Sequence, residues 1–305
     1  MKTSTPKFKN KLPQLSENTS QLTVWLLLLL LAAIWGTSFI LVKKSLVAYS
    51  SIQVGSIRIV SAFLFFLPVL IIRRKDFLAK NWKYLAISGF LAVFFPAYIF
   101  AVVGKELPSA LSGALNSLTP LFTLIIGALF FNRKFQKIQI SGIFLGILGS
   151  LFLIFNNLGE NISFNSYGFL VFLATIMYGF NLNIVKNKLN EMPAILVTTG
   201  LLSVIGPIAA IILFSTNFIE VIISHENHLP LYYAIGLGVF STGLATILFN
   251  KILQISTPVL ASSVTYLIPI FAFIWGILDG EVIGAQHFIG MAIILLGVYL
   301  VNKSS

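Results

Sequence analysis

The sequence predicts an all-α, polytopic membrane protein with ten transmembrane helices, arranged as two inverted-topology repeats of five. Three observations predict this fold. Hydrophobic residues make up 57% of the 305-residue chain and charged residues only 10%, whereas about 25% of a soluble domain is charged. Long apolar runs alternate with short breaks, and basic residues are concentrated in every second break. The stretch 107–131 also recurs at 257–281, with proline and glycine in matching places.

The chain begins with a polar tail that leads into a long apolar run. Residues 1–23 are rich in Lys, Ser, Thr, Asn and Pro without an apolar period, which is typical of a disordered basic segment. The run 24–42 is long enough to cross roughly 30 Å of hydrocarbon, whereas a cleaved signal peptide has an apolar core of about 7 to 15 residues. We therefore expect an uncleaved first helix. Nine further apolar runs predict the other helices: 52–72, 82–103, 107–131, 138–155, 166–185, 195–215, 231–250, 257–278 and 287–301.

The basic residues predict the orientation of these helices. With a cytoplasmic N-terminus, sixteen of the 20 lysines and arginines fall in cytoplasmic segments, and only Lys43, Lys44 and Lys105 fall in outer loops. This asymmetry follows the positive-inside rule and predicts a multi-pass protein of the cytoplasmic (inner) membrane with both termini in the cytoplasm. The net charge of +11 is therefore a topology signal, and the bilayer, not nucleic acid, is the expected partner.

The two halves of the chain match in order and spacing, as repeats over 24–156 and 166–302. An odd number of helices in each half places the second half in the membrane in the opposite sense. A run of matches in one order is much stronger evidence than any single glycine. The corresponding positions are Trp35–Gly36 with Tyr178–Gly179, Pro120 with Pro269, Gly127 with Gly276, and Gly142 and Gly149 with Gly290 and Gly297.

The paired prolines point to a cavity between the repeats. Proline frees the carbonyl four residues earlier, here those of Asn116 and Thr265, so we expect two facing polar patches near the midplane of the membrane. The alternative is that both prolines are packing kinks whose freed groups are bonded by nearby Ser and Thr. Helices 1, 3, 4, 6, 8 and 9 are predicted to line the cavity, with amides and aromatic side chains as further contacts. The predicted substrate-contacting residues are Trp35, Tyr98, Asn116, Thr119, Tyr178, Asn181, Ser262, Thr265 and Tyr266.

Arg58 is the only charged residue well inside a predicted helix, and the first eight helices contain no carboxylate to pair with it. It either snorkels to the outer surface or bonds helix-end carbonyls, or it acts in gating or in anion recognition. We assign Arg58, Pro120 and Pro269 gating or structural roles. The absence of Asp and Glu at mid-membrane disfavours proton coupling through a buried carboxylate.

No catalytic constellation is present, so the sequence predicts that the protein is not an enzyme. Cysteine is absent, and the motifs of hydrolases, metalloproteases and ATP-driven pumps are missing. His225 and His228 flank Glu226 in an outer loop, a pattern that favours a solvated loop over a metal site. No cofactor and no metal are expected.

On these residues the chain resembles the drug/metabolite transporter superfamily, and within it the EamA-type permeases with two five-helix repeats. The matching residues are Trp35, Gly36, Lys43, Arg58, Pro120, Gly127, Gly142 and Gly149, and in the second copy Gly179, Lys186, Pro269, Gly276, Glu281, Gly290 and Gly297. Two departures stand out. Asn132 replaces the glutamate that often follows the fourth helix in this family, and Tyr178 replaces the tryptophan of the second copy.

The resemblance implies a carrier for a small metabolite, such as an amino acid or an amphipathic solute, that works by alternating access through a central cavity. Combined with the lack of buried acid, it favours facilitated diffusion or exchange of a small-molecule substrate. The alternatives are a broad-specificity exporter of amphipathic toxic compounds and, from another class, an integral-membrane lipid-handling enzyme. A monomer is favoured, and a dimer is left open.

Overall fold

The computed structural model describes residues 21–77, 81–134, 136–155, 166–224, 226 and 228–302, and in these residues it is helical, without β-strands. Eight helices are long and apolar enough to cross a membrane, and two shorter apolar helices stand fifth and tenth in the series. The predicted all-α membrane fold is thus confirmed. Most of the predicted tail and His225 lie outside the described residues, and the first helix begins at Gln21.

The ten membrane helices agree with the predicted runs to within a few residues at most ends. A short surface helix, Phe218–Ser224, precedes the eighth of them. We call the side with the loops after α2, α4, α6 and α8 the basic face, and the side with the loops after α1, α3, α7 and α9 the opposite face. The helices are α1 (Gln21–Ser45), α2 (Ser51–Ile72), α3 (Trp82–Glu106), α4 (Ser109–Phe130), α5 (Lys137–Phe155), α6 (Tyr167–Lys188), α7 (Ala194–Phe214), α8 (Leu229–Ile255), α9 (Pro258–Leu278) and α10 (Ala285–Asn302).

Four helices are interrupted, at matching places in the two repeats. α3 contains a π-helical segment at Phe90–Phe94, and α8 contains one at Leu237–Leu244. α4 breaks after Asn116 and resumes at Thr119, while α9 passes through a 3₁₀ turn at Ser263–Tyr266. The two prolines therefore stand at helix breaks. Each proline lies in the first turn of the second half of its helix, where the missing N–H needs no partner.

Packing between the helices is symmetric under exchange of the repeats. α1 packs on the second half of α9 as α6 packs on the second half of α4, and α2 packs on α8 as α7 packs on α3. The pairs α2–α7 and α5–α10 join the repeats directly. The largest cluster of buried apolar side chains accordingly mixes both repeats, with Leu31 and Ile59 from the first and Leu182 and Leu202 from the second.

Glycines bring the paired helices into backbone contact. A Cβ on Gly36 would lie 2.5 Å from the Cβ of Phe271, and one on Gly179 would lie 2.8 Å from the carbonyl carbon of Phe122. Close approach at small residues is how apolar helices associate in lipid, where burying apolar surface gives little driving force. The matched glycines Gly36 and Gly179 therefore mark the two equivalent crossings of α1 with α9 and of α6 with α4.

We expect Gly142→Ala to destabilise the α5–α10 pair. Its methyl group would lie 2.4 Å from the carbonyl oxygen of Gly297, and overpacking of this kind costs about 1–3 kcal/mol. Heating the detergent-purified protein and measuring the monodisperse fraction by size exclusion checks this. Gly236→Ala is the matched control because no atom lies within 4 Å of the added methyl group. Equal melting temperatures for the two variants would contradict the packing role of Gly142.

Candidate functional site

A cavity of about 1170 Å³, open solvent at its mouth included, lies between the two repeats. Its walls come from α1, α3, α4, α6, α8 and α9, the helices for which the sequence predicted this role, together with Arg58 of α2 and Leu201 of α7. It extends from Val42 and Gly104, near the opposite face, to Asn250 of α8. The residues that line it include no Asp or Glu.

Most of the predicted contact residues reach this cavity. Tyr98 and Tyr266 do not line it, because their hydroxyls are used between helices: Tyr98 hydrogen-bonds Ser56 of α2 at 2.8 Å, and Tyr266 donates to the carbonyl of Val298 at 3.3 Å. Pro120 and Pro269 are also absent from the lining, which fits a structural role. The predicted residues that line the cavity are Trp35, Asn116, Thr119, Tyr178, Asn181, Ser262 and Thr265, and Arg58 joins them.

The two carbonyls freed by the prolines are bonded within the protein. The Asn116 carbonyl accepts a hydrogen bond from the Thr119 hydroxyl at 2.8 Å, and the Thr265 carbonyl accepts one from the Ser117 hydroxyl of the other repeat at 2.9 Å. The sequence had left this arrangement open as the alternative to carbonyls that face a ligand. The polar character of the cavity at this level therefore comes from side chains.

Several of those side chains have unused polar atoms. The amide oxygens of Asn116 and Asn181 and the hydroxyls of Ser112 and Ser241 lack hydrogen-bond partners among the described residues, and all four residues line the cavity. Asn116 is 7% exposed and Asn181 8%. An unsatisfied buried polar group costs about 1–3 kcal/mol. These four residues are therefore candidates for hydrogen bonds to a polar ligand in the cavity.

The π-helical segment of α8 accepts hydrogen bonds from two cavity-lining side chains of neighbouring helices. Trp35 donates its indole N–H to the carbonyl of Ser241 at 3.0 Å, and Arg58 donates its Nε–H to the hydroxyl of Thr242 at 2.6 Å. A π turn displaces carbonyls from the regular helical ladder, so they can accept bonds from neighbouring helices. Arg58 thus faces the cavity and does not reach the membrane surface. Ser241 and Thr242 were not among the predicted contact residues, although two adjacent hydroxyl residues in an apolar run were a usable signal.

Aromatic rings form another wall of the cavity. Phe39 and Phe100 meet edge to face with centroids 5.6 Å apart, and Phe100 lies parallel to Tyr178 at 6.4 Å. Trp35 and Phe249 make a second edge-to-face pair at 5.1 Å. Sequence reasoning could not select these phenylalanines among the 28 in the chain. The cavity therefore presents polar atoms and flat apolar surfaces together, which suits an amphipathic solute.

Two buried amides tie helices around the cavity. Asn183 is fully buried and donates to the carbonyls of Thr123 and Gly179, both at 2.9 Å, so it links α6 to α4. Asn250 donates to the Thr198 hydroxyl at 3.1 Å and also lines the cavity. The sequence had given neither amide a specific role.

A carboxylate clasp joins the repeats at the opposite face. The side chain of Glu281 is only 3% exposed and pairs with the Lys43 ammonium at 2.9 Å. It also accepts the backbone N–H groups of Ser109 at 3.0 Å and Ala110 at 3.5 Å, in the first turn of α4. A negative charge is favourable at a helix N-terminus. Glu281 therefore holds the half-helix that carries Ser109, Ser112 and Asn116 into the cavity wall.

Asp279 extends the clasp towards solvent. It pairs with Lys43 at 3.2 Å and with Lys44. The hydrogen bond from Lys44 is the main reason that the pKa of Asp279 lies below its ordinary value, and Lys43 contributes to the same shift. Two lysines and two carboxylates thus balance at this end of the protein.

The matching place at the basic face has the opposite charge. Arg133 folds back over Gly127, and its Cδ lies 2.8 Å from the position that a Cβ on Gly127 would take. Glu281 folds back over Gly276 in the same way, with its Oε2 2.6 Å from the position of a Cβ on that glycine. Burial lowers the pKa of Arg133. The place that corresponds to Glu281 is therefore occupied by Arg133 and not by Asn132, which adopts a left-handed φ of 56° at the end of α4.

Lys186, the counterpart of Lys43, has carbonyl partners in place of carboxylates. It donates to Leu253 at 3.1 Å and to Gln254 at 2.9 Å at the end of α8. Cations near helix C-termini interact favourably with the helix dipole. The two faces of the protein therefore hold equivalent helix ends by different chemistry.

Comparison with known proteins identifies the family. The profile of the EamA-like transporter family matches residues 23–155 and 165–303, which cover both repeats. The chain belongs to the EamA-like transporter family. It is therefore a multi-pass membrane transporter and not an enzyme.

Relatives of this EamA-like chain support the same conclusion. An "Uncharacterized transporter" of Archaeoglobus fulgidus is 26% identical over 284 residues, which cover 92% of this chain and 98% of the relative. A "Probable amino-acid metabolite efflux pump" of Salmonella typhimurium is 26% identical over 168 residues, 54% of each chain. A solved crystal structure with 14% identity has a TM-score of 0.60 and covers 93% of this chain and 99% of its own, which shows a shared fold.

We expect Glu281→Ala to destabilise this transporter more than the loss of a surface ion pair does. The change removes the acceptor of two N–H groups in the first turn of α4, and an unsatisfied buried group costs about 1–3 kcal/mol. Lys43 is 39% exposed and keeps Asp279 as a partner, so its loss of Glu281 adds little. The measurement is thermal unfolding in detergent. Asp76→Ala is the matched control, because the exposed pair of Asp76 with Arg73 is worth about 0–1 kcal/mol. Similar melting temperatures for both variants would show that the clasp contributes no more than a surface pair.

Proposed function

We propose that the protein is a secondary carrier that moves a small polar or zwitterionic metabolite with an apolar part through its central cavity by alternating access. The observation that carries the proposal is the composition of the cavity wall. Unpartnered amide oxygens of Asn116 and Asn181 stand in one cavity with the rings of Phe39, Phe100 and Tyr178. A solute that satisfies both needs donor groups on one part and an apolar surface on another.

An amino-acid-like substrate suits this combination. An ammonium group donates hydrogen bonds to amide oxygens, and an apolar side chain packs against aromatic rings. The Salmonella relative is named as a probable amino-acid metabolite efflux pump, which supports the same substrate class for this chain. The paired helix breaks in α4 and α9 flank the cavity, as broken helices flank the binding sites of inverted-repeat transporters.

The orientation and the mode of transport are part of the proposal. The excess of basic residues on the face that carries both termini supports a cytoplasmic location of that face in the cytoplasmic membrane. A cavity lining without carboxylates argues against proton coupling by a buried acid. We therefore favour facilitated diffusion or exchange, by a protein that works as a monomer.

A broad exporter of amphipathic toxic compounds is the second candidate. The aromatic pairs Trp35–Phe249 and Phe39–Phe100 favour it, because flat rings accept many apolar shapes. The two candidates differ in selectivity. A carrier of one metabolite is stabilised by a few related compounds, whereas a broad exporter is stabilised by many unrelated ones.

We expect Asn181→Ala to weaken ligand binding about tenfold without lowering the stability of the empty protein, because its amide oxygen has no partner to lose. A thermal-shift screen against a metabolite library measures both effects, since a ligand at about 100 times its Kd adds about 2.7 kcal/mol to the apparent stability. Asn187→Ala is the control, because Asn187 lies exposed on the same helix. Equal ligand shifts in the two variants would remove Asn181 from the site.

We also expect transport to proceed without a pH gradient. Purified protein in liposomes loaded with unlabelled L-amino acids should accumulate ¹⁴C-labelled L-amino acids when the pH is equal on both sides, because no carboxylate in the cavity wall is available to carry a proton. Strict dependence of uptake on an imposed pH gradient would contradict this mode of transport.

A further inference from the structure

Arg58 is a cation in the cavity wall, and no described residue of that wall carries the opposite charge. The residues that line the cavity include no carboxylate, and the only hydrogen bond of the guanidinium among the described residues is the one from Nε to Thr242. The terminal amino groups are thus left without a partner in the described part of the chain. An arginine with unused donors in a planar fork is suited to bind a carboxylate or a phosphate through two parallel bonds.

The matching position in the second repeat shows that the fold does not require this charge. The carbonyl of Arg58 lies 2.4 Å from a Cβ added to Gly238, and the carbonyl of Leu201 lies 3.0 Å from one added to Gly89. Arg58 and Leu201 both line the cavity. The crossing of α2 with α8 therefore has an arginine where the equivalent crossing of α7 with α3 has a leucine. Packing does not require the charge, so Arg58 serves another purpose.

Closing the cavity changes the surroundings of this charge. Arg58 is partly exposed, so water in an open cavity can solvate the guanidinium. Alternating access passes through a closed state that separates the site from both sides, and an ion deprived of water without a counter-charge is very unfavourable. The unpartnered amide oxygens of Asn116 and Asn181 in the same wall carry no charge and cannot neutralise the guanidinium. A bound anionic group removes the penalty, because it supplies both the charge and the acceptors.

We propose that Arg58 binds an anionic group of the substrate and that the cavity closes only when this group is bound. The protein then exchanges one substrate molecule for another, because the empty site cannot return across the membrane. This inference rests on the proposed function, and it narrows the substrate to compounds with a carboxylate-type anion. Compounds that lack an anion, including neutral and cationic toxic compounds, do not neutralise Arg58.

Proteoliposomes test the exchange. The full-length chain takes up a ¹⁴C-labelled mixture of L-amino acids in HEPES–Tris buffer free of chloride, carboxylates and phosphate, into vesicles that contain either the unlabelled mixture or buffer alone. Uptake into loaded vesicles should exceed uptake into empty ones by at least about tenfold, because the return of the empty site is the penalised step. Comparable uptake in both would overturn the exchange while leaving the proposed transport intact.

Two substitutions at Arg58 separate charge from shape. Arg58→Gln removes the charge, so uptake into loaded and empty vesicles should become similar. Arg58→Lys keeps the charge and should keep the dependence on internal substrate. Arg74→Gln is the matched control, because Arg74 is exposed at the basic face, and it should behave as the unchanged protein. A persistent dependence on internal substrate in Arg58→Gln would show that Arg58 is not its cause.

Binding gives a second measurement that needs no variant. L-amino acids should raise the melting temperature of the unchanged protein, whereas their carboxamides, which lack only the anion, should not. Equal shifts would overturn anion recognition by Arg58 even if Arg58→Gln failed to fold. Absence of both uptake and thermal shift with every amino acid would count against the proposed function itself, an outcome distinct from transport without exchange.

Discussion

The structure depends on the requirement that every backbone polar group at membrane depth finds a partner inside the protein. α4 and α9 break near the middle of the bilayer, which would expose carbonyls in apolar surroundings. The hydroxyl of Thr119 bonds the carbonyl of Asn116, and that of Ser117 bonds the carbonyl of Thr265 across the repeats. Because these bonds are made by side chains, both helices can stay broken, and the break leaves room for the cavity. The hydroxyl residues beside the prolines are thus needed before any ligand is present.

Much of the fold and part of the site follow from sequence periodicity. The apolar runs, the paired glycines and the twin prolines predict the helices and their crossings because each reflects a repeated local constraint, namely helix length or close backbone approach. Asn116, Thr119 and Thr265 could be named for the same reason, since polar residues next to a membrane proline must face protein or water.

The rest of the site depends on tertiary contacts that leave no local pattern. Tyr98 and Tyr266 have the composition of cavity residues, yet their hydroxyls bond neighbouring helices. The π-helical segment of α8 adds the Ser241 carbonyl to the site by shifting the helical register. No pattern of residue types in the sequence predicts this shift. The Phe residues of the aromatic wall resemble those that face lipid. The chain takes one residue more to fold back over the end of α4 than over the end of α9. Matching the repeats by a constant offset therefore paired Glu281 with Asn132, and the position of Arg133 was missed.

Inverted repeats give the two faces related backbones but not the same chemistry. At the opposite face, Lys43 meets carboxylates, whereas at the basic face Lys186 meets the carbonyl end of α8 and Arg133 takes the place of the glutamate. The helix ends are therefore held by ion pairs at one face and by a charge on a helix dipole at the other.

The clasp formed by Glu281 also has a consequence for how the chain is made. The N-terminus of α4, in the first repeat, is capped by a carboxylate from the loop after α9. Synthesis proceeds from the N-terminus, so α4 leaves the ribosome long before its cap exists. Its first turn must bond water or lipid headgroups until residue 281 has been translated. The first repeat is thus completed only by the second, and the final shape of the cavity wall is set late in biogenesis, when nearly the whole chain has entered the membrane.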